Sequence, residues 1–143
     1  MSKNSPDNIL SYLKSTARNK IVLFRDDIPG VEPFDIGIAI AEKIAHLLDD
    51  RKLSFKAKNE IDKLFTSILI NHVTFGKLMA ISNIGILFEP DLKIDILSLF
   101  ERFSCDNALF IKWDGEIEAG NLYFLSKYNG IKINLKNISH III

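Results

Sequence analysis

Three short apolar runs, each bounded by polar or charged residues, constrain the fold of this 143-residue chain more than any other feature. They are residues 20–25 (KIVLFR), 77–83 (KLMAISN) and 107–113 (NALFIKW). Continuous apolar runs of this length are typical of strands that are buried on both faces, as in parallel sheets covered by helices. The chain is therefore predicted to be an α/β protein.

Amphipathic segments between these runs predict the helices. Asp35 is a suitable N-cap for a helix over residues 35–49, and a second helix is predicted over residues 55–72, with His72 at its C-terminal end. A third helix is expected to begin at Pro90 and Asp91. The inward face of this third helix is predicted to consist of Ile96, Leu97, Phe100 and Phe103.

The two ends of the chain have a different character. Residues 1–19 are predicted to be a polar extension with a short helix, followed by a single α/β domain over residues 20–143. Near the C-terminus, Asn129-Gly130 is a strong two-residue hairpin signal, and the residues after it alternate between apolar and polar. A C-terminal antiparallel β-hairpin is therefore expected to be attached to the α/β core.

Composition limits the compartment and the partners. The 18 Lys and Arg balance 18 Asp and Glu, so no net charge drives binding to nucleic acid, which is not directly indicated as a partner. The single cysteine, Cys105, excludes an intrachain disulfide. No run approaches the ~20 apolar residues of a membrane span, and the N-terminus lacks a secretory apolar region. A cytoplasmic location without a membrane partner is therefore expected.

Two adjacent acids, Asp26 and Asp27, follow the first apolar run. Ligands of α/β proteins collect beyond the C-terminal ends of the strands. Paired carboxylates there could hold Mg²⁺ for phosphoryl chemistry, since hard cations prefer oxygen ligands. The alternative is that both are solvated loop acids that cap a turn. The three histidines stand in no metal-ligand spacing with Cys105 or with each other, so no zinc site is predicted.

A nucleotide site can be tested against the first loop. A P-loop needs the pattern G-x-x-x-x-G-K-[ST], in which backbone N–H groups and the lysine hold the phosphates. The chain instead reads DDIPGVEPFDIG, in which Gly30 and Gly37 are not followed by Lys and Ser or Thr. A Walker B strand would also need a carboxylate near its end, where this chain has Ser82 and Asn83. No catalytic residue and no cofactor are therefore predicted.

The stretch from Leu78 to Tyr128 resembles the small P-loop-type BrxF proteins of the BREX bacteriophage-defence systems. It shares the progression N-I-x-x-L-F-x-P-x-L, then D-x-L-x-L, W-x-G and L-x-Y. The matching positions are Asn83, Ile84, Leu87, Phe88, Pro90, Leu92, Asp95, Leu97, Leu99, Trp113, Gly115, Leu122 and Tyr123. The resemblance implies a three-layer P-loop-NTPase-like or Rossmann-like domain.

The same resemblance implies a relative that kept the scaffold and lost nucleotide chemistry. It would act as a partner-binding subunit of a bacterial antiphage complex, in contact with other protein subunits or with a second copy. The partner surfaces are expected at the loop 113–120, with Trp113, Asp114 and Glu116, and at the acidic loop 26–35. The alternatives are a Mg²⁺-dependent phosphoesterase or nuclease that uses Asp26 and Asp27, and a nucleotide sensor without hydrolysis.

Overall fold

A mostly parallel sheet forms the centre of the computed structural model, which describes residues 6–118, 120–123 and 132–143. Strand β1 (Ile21–Phe24) pairs in parallel with β5 (Ala108–Lys112) on one side and β9 (His140–Ile142) on the other. On its far side β5 pairs with β4 (Gly76–Ser82), which pairs with the short β2 (Phe34–Asp35). The parallel order is therefore β2-β4-β5-β1-β9. The three apolar runs are buried strands, as the sequence predicted.

Helices cover both faces of this sheet. Helix α1 (Pro6–Leu13) precedes β1, α2 (Ile36–Ile44) follows β2 directly, and α3 (Leu53–Ser67) and α4 (Ile96–Phe103) follow in turn. Short 3₁₀ turns at Ala45–Leu47, Ile84–Phe88 and Pro90–Leu92 complete the connections. Among the helices of the described ranges, none has both the length and the apolar character that crossing a membrane requires.

The larger core lies on the face that carries α2, α3 and α4. Ile36 and Ile40 of α2, Ile61 and Phe65 of α3 and Phe100 of α4 pack there, each at most 1% exposed. These positions recur at helical spacing, so each helix turns one apolar stripe to the sheet. The predicted helix begins after Asp35 and its cap is formed as expected, since Asp35 Oδ1 accepts a hydrogen bond from the Ile38 N–H. It ends earlier than the predicted residue 49, because the α-helix stops at Ile44 and continues only as the 3₁₀ turn Ala45–Leu47.

The opposite face is covered by less regular structure. Ile9 of α1 is fully buried there, together with Ile28 and Val31 from the connection between β1 and β2. Phe75 packs against Phe110 of β5 on the same face, with ring centroids 5.5 Å apart. One helix and one packed loop thus cover this face of the sheet, whereas three helices cover the other.

A second, antiparallel sheet follows β5. It consists of β6 (Glu116–Glu118), β7 (Asn121–Tyr123) and β8 (Lys132–Asn134), with Tyr123 opposite Lys132. Leu122 and Ile133 face each other and are buried against the main core. The predicted C-terminal antiparallel hairpin is therefore present as the pair β7–β8, while its turn at Asn129-Gly130 lies outside the described residues.

The second predicted helix was too long. Helix α3 ends at Ser67, and the prediction of a helical end at His72 is wrong because Ile70–His72 forms strand β3, antiparallel to β4. Gly76 takes a positive φ of 76°, which lets the chain reverse tightly. Pairing with the neighbouring strand therefore prevails over the helical periodicity that Ile68 and Leu69 continue.

The third predicted helix begins later than Pro90. Pro90–Leu92 is a single 3₁₀ turn, Lys93 adopts a left-handed backbone with φ 51°, and α4 starts after Asp95, whose carboxylate accepts from the Ser98 N–H. The inward face also differs by one residue, because Ile96, Leu99, Phe100 and Phe103 follow the i, i+3, i+4, i+7 spacing of one helical stripe. Leu99 takes the buried place predicted for Leu97, which is 37% exposed.

Removal of the Phe100 side chain tests the packing of α4. Phe100 is fully buried, so Phe100→Ala should lower the free energy of unfolding by about 3–5 kcal/mol. The matched control on the same helix is Leu97→Ala, for which we expect a loss below about 1 kcal/mol because the side chain is partly solvated. Urea denaturation of both variants measures the difference. Equal losses would show that the inward face is assigned incorrectly.

Candidate functional site

The polar residues that follow β1, β2, β4 and β5 meet at one edge of the sheet, because parallel neighbours end on the same side. Here this edge is called the strand-end rim, and it is defined by Asp27, Asp35, Asn83, Lys112 and Asp114. A cavity of about 250 Å³ opens into it between the segments 83–85 and 112–115. The rim is the place where an α/β protein of this kind carries its ligand or partner site.

The connection that leaves β1 is a crossing loop. Residues 25–33 contain bends and one turn, closed by the Val31 N–H to Ile28 carbonyl bond of 3.0 Å, and then enter β2. Ile28 and Val31 are buried under this crossing, so the loop is packed on the sheet. No helix begins at the end of β1.

His72 fastens this loop from the neighbouring hairpin. Its Nδ1 accepts from the N–H groups of Thr74 (3.0 Å) and Phe75 (3.2 Å), which leaves the proton on Nε2. Nε2 then donates to the Gly30 carbonyl at 2.9 Å. The ring also stacks on Phe75, with centroids 4.9 Å apart. Both nitrogens of this histidine are therefore used to hold backbone.

Asp27 is paired with a lysine from β5. Lys112 Nζ donates to Asp27 Oδ1 at 2.9 Å, because Phe24 and Lys112 are opposite each other in the β1–β5 register. This hydrogen bond, with the charges of Asp27, Asp114 and Asp26, raises the pKa of Lys112 above its ordinary value. The carboxylate that would have to ligate Mg²⁺ thus already has a cationic partner.

The surroundings of Asp26 and Asp27 also bear on the alternative that these two residues bind Mg²⁺. Asp26 and Asp27 are adjacent, exposed side chains. Within residues 6–118, 120–123 and 132–143, no three His, Cys, Asp or Glu side chains converge in an arrangement that could hold a metal ion. The rim is therefore better described as an ion-paired, acidic edge than as a cation cage.

Trp113 supports the rim from below. It is only 3% exposed, its Nε1–H donates to the Glu116 carbonyl at 3.1 Å, and its ring packs against Phe88. Arg25 donates to the carbonyl of Gly115, which ties the same loop to the end of β1. This changes the role expected for Trp113: the buried ring shapes the loop, and the groups open to a partner are the exposed carboxylates of Asp114 and Glu116.

Asn83 occupies the position where an ATPase would carry the Walker B carboxylate. Its backbone is left-handed, with φ 55°, and its Nδ2 donates to Asp35 Oδ1 at 2.9 Å. A Cβ on Gly37 would lie only 2.3 Å from this Nδ2, so the glycine makes room for the amide. The Ile38 N–H first, and then Asn83, lower the pKa of Asp35 below its ordinary value. Asn83 therefore braces the start of α2.

The structure thus brings Asp26, Asp27 and Asp114 around Lys112 and places Glu116 beyond them on β6. Sequence reasoning missed Arg25 and the Asp27–Lys112 pair. The charged residues that directly follow the apolar runs could have indicated both contacts. They do so only once β1 and β5 are known to be neighbouring strands. Comparisons of the chain with family models, curated proteins and solved structures find no match.

The Asp35 cap yields a pH prediction. Its folded-state pKa is lowered, so its stabilising contribution is complete above the ordinary pKa of about 3.9 and is lost as the pH falls through the folded-state value. We expect Asp35→Ala to lower the free energy of unfolding at pH 7 by about 0.5–2 kcal/mol. The difference from the native chain should shrink once the medium is more acidic than that folded-state pKa.

Urea titrations at neutral and acidic pH measure both effects. The control is Asp49→Ala, an exposed acid just beyond α2. A native–variant difference that is as large in acid as at pH 7 would contradict the proposed cap.

Proposed function

We propose that this chain is a non-catalytic adaptor or scaffold subunit with a P-loop-NTPase-like sheet, acting through protein–protein contacts. The observation that carries the proposal is the connection after β1. Residues 25–33 cross the sheet as a packed loop where a nucleotide-binding protein of this class has a phosphate-binding loop and a helix. The phosphate cradle is therefore replaced by buried apolar side chains and exposed acids.

Strand order supports the P-loop-like part of the proposal. Counted along the chain, the parallel strands β1, β2, β4, β5 and β9 are strands one to five. Their order across the sheet is then 2-3-4-1-5. The doubly wound orders 3-2-1-4-5-6 and 2-1-3-4-5 differ from it. A fourth strand between the first and third is the arrangement of P-loop ATPases with an additional central strand. This agrees with the resemblance to the BrxF proteins.

The electrostatics of the rim oppose phosphate binding. Phosphate sites use backbone N–H groups at a helix N-terminus together with an available cation. Here Asp26 and Asp27 follow β1, and the ammonium group of Lys112 is already hydrogen-bonded to Asp27. A polyphosphate would meet like charge at close range. The same arrangement leaves exposed carboxylates at this edge of the sheet, where hydrogen bonds hold the loop after β5 in place.

This edge of the sheet is suited to a protein partner. Arg25 and Trp113 fix the loop after β5 through the Gly115 and Glu116 carbonyls, so little conformational freedom is lost when the loop is bound. It presents Asp114 and Glu116 to the exterior. A partner with a complementary basic surface fits this edge, and the resemblance implies other subunits of a bacterial antiphage complex as the class of partner.

Thermal unfolding with ATP and Mg²⁺ tests the loss of nucleotide chemistry. We expect no change in Tm, whereas a ligand at 100 times its Kd would add about 2.7 kcal/mol to the free energy of unfolding. A clear shift would favour a nucleotide sensor. Mg²⁺-dependent cleavage of DNA that disappears in the Asp26→Ala, Asp27→Ala variant would instead establish the phosphoesterase alternative.

Charge reversal tests the partner surface. Tagged native chain and the Asp114→Lys, Glu116→Lys variant are purified from the source cell, and the associated proteins are identified by mass spectrometry. We expect a stoichiometric partner with the native chain and its loss with the variant. The control is Glu42→Lys on the exposed side of α2. Retention of the same partner by the rim variant would contradict the assignment of this surface.

A further inference from the structure

A groove between α3 and α4 shares no lining residue with the strand-end rim. Its cavity measures about 420 Å³. Ile61 and Leu99, which are 1% and 4% exposed, form the floor together with Ile94. Phe55 stands at the side and is 65% exposed, although it is among the largest apolar side chains of the molecule. The groove therefore combines a firm apolar floor with an aromatic ring that is largely in water.

The charges around the groove are unequally compensated. Arg102 binds Asp62 through two hydrogen bonds of 2.6 and 3.3 Å, and Asp95 is used as the cap of α4. Lys58 and Lys93 also line the groove, and neither forms an ion pair with any residue that the structure describes. Two unpaired cations thus remain beside the apolar floor, together with the charged carboxylate of Asp95.

Lys93 adds a second, independent observation. Its left-handed backbone, with φ 51°, is unfavourable for a residue with a Cβ and is usually taken by Gly or Asn. Among the residues that the structure describes, the other non-glycine residue with a left-handed backbone is Asn83, whose side chain binds Asp35. Lys93 is exposed and lines the groove. This left-handed backbone ends the 3₁₀ turn Pro90–Leu92, with the Lys93 N–H bonded to the Pro90 carbonyl at 3.1 Å, and it holds the lysine beside the groove.

We propose that this groove binds an acidic amphipathic helix of a partner protein. Apolar side chains at i, i+3 or i+4 and i+7 would enter the groove beside Phe55, and acidic side chains would face Lys58 and Lys93. Two facing helices form the usual receptor for such a segment. Asp62 and Asp95 at the margin would repel a nucleic acid backbone, whose charge is continuous. A helix can instead place its few acidic side chains beside the two lysines and turn neutral residues toward the two aspartates. The inference goes beyond the proposed adaptor role because it concerns a second surface with opposite charge.

Fluorescence anisotropy with synthetic peptides tests the proposal. The probe is a labelled peptide of about 15 residues with leucines on one helical face and glutamates on the other, a length that supports a helix. The matched peptide has lysine in place of every glutamate. We expect saturable binding of the acidic peptide and a Kd at least about tenfold higher for the basic one. No saturable binding, equal binding of both peptides, or binding of an oligonucleotide alone would overturn the proposal.

Charge reversal in the groove locates the binding. Lys58→Glu with Lys93→Glu should raise the Kd of the acidic peptide at least about tenfold. The control is Lys14→Glu with Lys77→Glu, which makes the same change in net charge where α1 and Phe75 cover the other face. Equal effects of the two variants would overturn the assignment to the groove. The rim variant Asp114→Lys, Glu116→Lys should bind the peptide normally, so failure here is separate from failure of the adaptor proposal.

Lys93→Gly separates binding from folding. Glycine adopts the left-handed backbone without penalty, so we expect the Tm to rise by a few degrees. The same substitution removes one cation of the groove and should raise the Kd of the acidic peptide. A variant with a higher Tm and unchanged peptide affinity would show that Lys93 has no part in binding.

Discussion

The position of β1 between β5 and β9 is the constraint on which the rest of the molecule depends. Its four residues are buried on both faces, and it is the strand paired with both β5 and β9. Its start is held by Tyr12 of α1, whose hydroxyl donates to the Asn19 carbonyl at 2.7 Å and accepts from the Ile21 N–H at 3.1 Å. The same hydroxyl lies 3.1 Å from Ser139 Oγ, just before β9. Elements from both ends of the chain thus meet at one strand.

The composition of the rim follows from this position. Because β5 is the neighbour of β1, the residues that leave the two strands are brought together across 85 to 90 positions of sequence, as the Asp27–Lys112 and Arg25–Gly115 contacts show. These contacts use the cations of the rim internally. The carboxylates of Asp114 and Glu116 remain exposed on the loop after β5, in keeping with the proposed recognition of a basic protein surface.

Local patterns in the sequence were sufficient for the elements whose stability is local. The three buried strands and the helix capped by Asp35 are specified by short apolar runs and a single capping residue, and these predictions are confirmed. Strand β3 was missed because its pairing with β4 depends on a tight reversal at Gly76, whereas Ile68 and Leu69 continue a helical pattern. The sequence left open whether Trp113 belongs to a partner surface or to the edge of the core, because its burial depends on Phe88, which only the folded chain brings near.

The segment between Asn83 and Lys93, which both have a left-handed backbone, connects the two proposed surfaces. Asn83 belongs to the rim and Lys93 to the groove, and the 3₁₀ turns between them bury Ile84, Leu87, Phe88 and Leu92 in the main core. Phe88 contacts Trp113 beneath the rim, and Leu92 precedes the groove directly. With no net charge overall, the chain has exposed carboxylates at the rim and unpaired lysines at the groove, which would orient the proposed partners without general electrostatic attraction. One buried, apolar segment therefore connects both surfaces, and in the proposed adaptor it would set the spacing between two partners.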